Sequence, residues 1–267
     1  MELIIQNWIT QFIAIVGIIY IYGFAVWGLN RLFYRTLGGN AHGVCVATGF
    51  IGTPVHELGH AIFCLLFLHR ITDMKLFTPN SDDGVLGYVS HAYNKKNIYH
   101  QIGNFFIGVG PILFGSAVLF LLMYFLSPDM YEGVVSNIGK GSELSIASVV
   151  GAGKDMLTAM FQTGDFSSYK QWIFFGLAIL ITLHMSLSPA DMKGSVAGTG
   201  YIAVLLLLAN AVVYYLPLRG FSLYTMTAYF VDIGLAIAGF LTLAVIVAAA
   251  VALVGFVVKT VFSFIHR

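Results

Sequence analysis

Charge is what this chain has least of: 9% of its 267 residues are Asp, Glu, Lys or Arg, 58% are hydrophobic, and the mean hydropathy is +0.87. Soluble domains carry about 25% charged residues, so the composition excludes one and indicates a polytopic membrane protein. The net charge of +1 gives no basis for a nucleic-acid partner. Cysteine is nearly absent too. Cys45 and Cys64 lie 19 residues apart on one expected helix and cannot bridge, which excludes a disulfide framework. Cys64 falls one turn after His60, within reach of a metal there, although a free cysteine is more commonly a small buried packing residue. No Lys or Arg precedes the apolar run 9–27, so a cleavable leader is not expected and this run should remain as a helix.

Runs near 20 apolar residues predict about six spans, roughly 8–29, 43–68, 102–127, 170–188, 198–217 and 224–262. The last is too long for one level span, and is either a tilted helix that continues beyond the bilayer or two segments broken near Gly239. Asp232 within it is expected at the interface, beside Tyr224 and Tyr229. The expected fold is all-α and polytopic, a single integral membrane domain over 1–267.

One stretch carries chemistry. Within 43–68 the only ionisable side chains are the two cysteines and His56, Glu57 and His60 of His56-Glu57-Leu58-Gly59-His60. A charged group in mid-membrane costs on the order of 2.5–3.5 kcal/mol on insertion scales, and such groups mark functional sites by default. Histidines four apart project from one side of a helix, so both can reach one tetrahedral Zn²⁺. Glu57, beside the first of them, is placed to take a proton from an attacking water. The competing reading is an inter-helix cluster of hydrogen-bonded polar groups.

A catalytic zinc site takes a third protein ligand. Asp191 is the expected one. It lies in Ser188-Pro189-Ala190-Asp191, where a Pro interrupts two apolar runs, and irregular backbone at membrane depth is tolerated only against protein or a wet cavity. The alternative role for Asp191 is to cap the following helix. His184 is too far along the chain to share the ion with Asp191 and is expected beside the ligands or in the substrate pocket. His42, His69, His91, His100 and His266 are expected in loops or at ends, solvated.

Two connecting segments stand out. After the metal helix, 71–78 and 85–93 are β-prone runs around the turn-rich Pro79-Asn80-Ser81-Asp82-Asp83-Gly84, which predicts a small membrane-associated β-hairpin over 71–93. Its 85–92 strand, with Val85, Tyr88 and Val89, could pair with an extended substrate by β-addition. The second segment, 128–169, is an extramembrane loop with glycines at 139, 141, 151 and 153 and an amphipathic stretch at 144–161.

In these features the chain resembles the site-2 proteases, zinc metalloproteases that cut membrane-spanning substrates. The likeness rests on Val55-His56-Glu57-Leu58-Gly59-His60-Ala61, the hairpin after it, Gly110-Pro111 in the next span and Asp191 on a later one, and covers roughly 43–127 and 170–197. It implies His56, His60 and Asp191 as zinc ligands, Glu57 as general base and a single-span membrane protein as substrate. The chain departs from the family twice. Met192 and Lys193 separate Asp191 from Gly194 where the family has Asp-Gly, and Phe114 stands where the family's Gly-Pro-x-x-Asn has Asn. Asn104, two turns before Pro111, either supplies that polar group or faces the headgroups. No run resembles a PDZ module.

With six spans and cytosolic termini, Arg70, Lys75, Lys95, Lys96, Lys193, Lys259 and Arg267 fall inside, seven of 13 basic residues, a slight vote for an active site nearer the cytosolic face, which the resemblance also implies; the expected location is a bacterial or archaeal plasma membrane. The rival readings are a non-catalytic zinc-binding scaffold, a zinc transporter or sensor, and a membrane zincin that cuts soluble or juxtamembrane chains. Oligomeric state is not legible.

Overall fold

A computed structural model describes residues 1–81, 84–138, 145–216 and 221–265. Asp82, Asp83, Gly139, Gly141, Leu144, His266 and Arg267, singled out above, lie outside these. Helix α1 (Glu2–Phe12) continues through one π-helical turn (Ile13–Gly17) into α2 (Ile18–Leu37). Gly38, at φ +55°, ends α2, and a short 3₁₀ turn passes the chain into α3 (Ala41–Leu66); that backbone conformation costs glycine little. Strands β1 (Arg70–Lys75) and β2 (Tyr88–Ala92) follow. Then come α4 (Ile98–Leu126), α5 (Pro128–Val135), α6 (Ile146–Thr163), α7 (Tyr169–Thr182), α8 (Pro189–Tyr215) and α9 (Leu223–Ile265).

Among the described residues, four helical stretches are long and apolar enough to cross a membrane: Glu2–Leu66, Ile98–Leu126, Ala190–Tyr215 and Leu223–Ile265. Of the expected six runs, 8–29 and 43–68 belong to one helical stretch turned at Gly38, and 170–188 holds α7, a shorter apolar helix of 14 residues. Helix α9 is unbroken at Gly239, and its 43 residues extend about 64 Å at 1.5 Å each. That is about twice the hydrocarbon thickness of ~30 Å, so the single, overlong helix is the alternative that holds. Asp232 sits exposed on its surface. Within the expected loop 128–169 lie helices α5 and α6, and α6 buries Met156, Ala159 and Met160.

The core lies among α2, α4, α7 and α9, with Val26, Phe105, Ile112, Leu119, Phe174, Ile181 and Leu241 buried. Lipid is as apolar as these side chains, so close packing and interhelical hydrogen bonds must supply the attraction. The bonds are present. Gln11 and Asn210 pair through two amide contacts of 3.2 and 2.7 Å, Tyr22 and Thr242 hydroxyls lie 2.9 Å apart, and Asn30 Nδ2 donates to Thr182 O at 2.8 Å. Backbones also touch directly. A Cβ on Gly59 would lie 2.8 Å from Pro111 N, and one on Gly110 would lie 2.7 Å from Gly59 O, so α3 and α4 meet main chain to main chain beside the His-Glu motif.

Antiparallel β1 and β2 pair from Arg70 with Ala92 to Lys75 with Tyr88, with an irregularity between Ile71 and Asp73. The strands are shorter than the expected runs 71–78 and 85–93. Beyond Lys75 and before Tyr88 the chain leaves the ladder to pack on α3, closed by a Thr78 N to Leu86 O bond of 2.6 Å.

Candidate metal centre

Helix α3 carries His56 and His60 one turn apart, and the start of α8 brings Asp191 against them. His60 Nε2 lies 3.2 Å from Asp191 Oδ1, His56 Nε2 lies 3.8 Å from Asp191 Oδ2, and the two Nε2 atoms are 3.2 Å apart. These three residues form a group that could hold a metal ion.

The hydrogen bonds behind the rings make the case for a cation. His56 Nδ1 lies 2.7 Å from the His184 carbonyl, and His60 Nδ1 lies 2.7 Å from the Ile107 carbonyl. A carbonyl can only accept, so both Nδ1 atoms carry protons, and in the neutral rings both Nε2 atoms are bare lone pairs. Two lone pairs and a carboxylate converging within 4 Å repel one another unless a positive charge sits among them. Main-chain carbonyls in this position are also how metal-ligating histidines are commonly oriented.

Both carbonyls are available because a helix is interrupted. In α4, Ile107 O would ordinarily accept from residue 111, but Pro111 has no N–H to give. Between α7 and α8 the backbone of Leu183–Ser188 is not helical, and Ser188 N donates to Asp191 Oδ2 at 2.8 Å instead of reaching back to His184 O. Ser188 Oγ accepts from Asp191 N in return, at 3.2 Å, completing a capping box. The two roles weighed for Asp191 are therefore compatible: one carboxylate caps α8 and faces both histidines.

The nine residues expected as ligands, general base or substrate-pocket groups line one cavity of about 690 Å³: His56, Glu57, His60, Asp191, Asn104, His184, Val85, Tyr88 and Val89. Glu57 is buried there. Asn104 is buried rather than at the headgroups, and its Nδ2 donates to Gln101 Oε1 at 3.2 Å. His184 serves His56 through its main chain, while its ring lies 2.9 Å from Thr48 Oγ1 and 3.3 Å from Thr53 Oγ1. Cys64 is buried and outside the metal-binding group; Cys45 lines the cavity. The hairpin forms a wall. Gly87 approaches so closely that a Cβ on it would lie 2.8 Å from Thr53 Cγ2 and 2.9 Å from Glu57 Cγ.

Three of these histidines depart from expectation. His69 is buried, at 3% exposure, His91 is partly buried and lines the cavity, and His100 is partly buried in the first turn of α4. The turn after α3 explains the first: Leu68 adopts φ +58° and His69 N bonds back to Cys64 O at 2.8 Å, folding His69 inward. No alternating pattern in 88–92 signalled the second. No protein-family model, curated protein or solved structure matches this chain.

Proposed function

We propose that this protein is a zinc-dependent intramembrane endopeptidase of the site-2 protease type, cutting single-span membrane proteins within or beside their span. The observation that carries the reading is the pair of imidazole Nε2 atoms facing the Asp191 carboxylate, each ring held through Nδ1 on a main-chain carbonyl, with Glu57 next to them on α3 in a cavity walled by a β-hairpin. Two histidines and a carboxylate suit zinc, and six membrane passes fit the apolar runs with the active site toward the cytosolic side of a plasma membrane.

Zinc in such a site supplies a Lewis acid that polarises the scissile carbonyl and acidifies water. His56, His60 and Asp191 would hold it, their orientation fixed by the carbonyls of His184 and Ile107 and by Ser188. Glu57 accepts a proton from the attacking water and passes it to the leaving nitrogen, so the C–N bond breaks to give a carboxylate and an amine. A peptide bond in a helix is shielded by its own hydrogen bonds and must first be unwound. Strand β2 is paired on one side only among the described residues, which supports capture of an extended segment by strand addition.

The test is reconstitution of the purified protein in lipid vesicles with a single-span substrate. Zinc-dependent cleavage by wild type that is lost in Glu57→Gln supports the proposal. Equal cleavage by both, or equal cleavage of soluble unfolded chains, counts against it.

A further inference from the structure

A second pair of histidines sits beside the metal centre. His69 Nε2 lies 2.9 Å from the main-chain carbonyl of His100, so this nitrogen carries a proton. The ring is buried and stacked on Tyr93, with centroids 4.7 Å apart and planes at 12°. In the neutral ring, Nδ1 is then a lone pair. His91 Nδ1 lies 3.0 Å from it and must be the donor between them. The proton order is thereby set from the carbonyl outward, and His91 is left with Nε2 as a lone pair on a residue that lines the cavity. Burial favours neutral rings. It lowers the pKa of His69 below the usual histidine range, and with the neighbouring His69 and His60 it pushes that of His91 down to about 4.

A neutral nitrogen with a lone pair cannot donate to an oxyanion. It suits a donor, and the donor that every residue of a peptide strand except proline presents is its main-chain N–H. His91 belongs to β2, the strand on which an extended segment would be seated. We propose that His91 Nε2 accepts a main-chain N–H of the substrate strand, and that His69 and the His100 carbonyl are positioning groups that hold His91 in the accepting tautomer. This rests on the peptidase reading above and adds a substrate-binding residue to it. The recognition is of backbone, so it places no demand on substrate side chains beyond excluding proline at one position.

The test uses the full-length Glu57→Gln protein in lipid nanodiscs, so that binding is read without turnover. Synthetic single-span peptides carry amide-to-ester replacements, one at a time, through the segment nearest the cut. One ester should weaken binding about tenfold, the usual effect of losing a hydrogen bond to a desolvated partner, and in His91→Phe protein the same ester should cost nothing further. His91→Gln, whose Oε1 can replace Nε2, should restore most of the affinity. Zinc content should be the same in all three. ¹⁵N NMR of the imidazoles should show His91 protonated at Nδ1 and bare at Nε2, a result that does not depend on the peptidase reading. Ester penalties undiminished in His91→Phe, or a proton on Nε2, overturn the proposal. So does a second bound Zn²⁺ per chain that disappears in His69→Gln, which would make the pair a metal site. If the peptides do not bind at all, the peptidase reading falls and takes this one with it, whatever the tautomer.

Discussion

His60 donates its Nδ1–H to the carbonyl of Ile107 at 2.7 Å, the carbonyl that Pro111 leaves without its helical partner. A residue one turn further along α4 thus leaves unpaired the acceptor that lies behind a metal-facing imidazole on α3. Gly110, next to Pro111, lets the two helices approach closely enough for the bond to form.

Pro111→Ala tests this link. The new N–H competes with His60 for Ile107 O, so zinc affinity should fall roughly 10–100-fold, the usual effect of disturbing a group behind a ligand. Thermal stability should be unchanged or higher, because alanine is favoured over proline in a helix interior by about 3 kcal/mol. Chelator competition and a melting curve read the two effects separately. Unchanged zinc affinity would show that the Ile107 carbonyl does not need Pro111 to be available.

The metal-binding group itself predicts about one Zn²⁺ per chain, since three ligands of this type make one open site. Metal analysis of wild type and of the double variant His56→Ala, His60→Ala should show it present and then absent. Zinc retained in the double variant would remove these residues from the site. His184→Ala should keep its zinc, because the main-chain carbonyl, which the substitution preserves, is what holds His56.

Much of the site was legible from the sequence because ionisable residues are so few. In an apolar helix His56, Glu57 and His60 had no competitors, and Asp191 was marked by the Ser188-Pro189 break before it. The carbonyls that orient the histidines were one step further off: a proline at position 111 implies an unpaired carbonyl at 107, yet the sequence does not say which side chain takes it. His69 was missed because its placement depends on the left-handed turn at Leu68, a conformation glycine signals and leucine does not, and His91 because no alternation in 88–92 marks the inward face of its strand. The helices were legible as apolar runs, whereas the joining of the first two into one stretch turned at Gly38 was not, since hydropathy does not register backbone direction.

Asp191 carries two duties that substitution can separate. Asp191→Asn retains an oxygen to accept from Ser188 N but removes the charge offered to the metal, so zinc should be lost with stability preserved. Ser188→Ala removes the other half of the box and should cost about 1 kcal/mol, with zinc retained. Zinc content and unfolding midpoint together decide it. Full zinc occupancy in Asp191→Asn would leave Asp191 as a cap alone.

Gly87 tests whether the hairpin must lie against the general base. A Cβ there would fall within 3.0 Å of Thr53 Cγ2, Glu57 Cγ and the Leu76 carbonyl, and at least the last is backbone that cannot rotate away. Gly87→Ala should therefore lift this part of the hairpin off α3 and shift the wall that faces Glu57. His56, His60 and Asp191 are held from other elements, so zinc should remain. Turnover should fall by at least about 100-fold, since misplacement on the order of 1 Å in an active site has that effect, and a larger residue such as valine should lose more. If Gly87→Ala cuts a single-span substrate as fast as wild type, close apposition of the hairpin to Glu57 is not needed for the reaction, and the hairpin is a connector rather than part of the cleavage site.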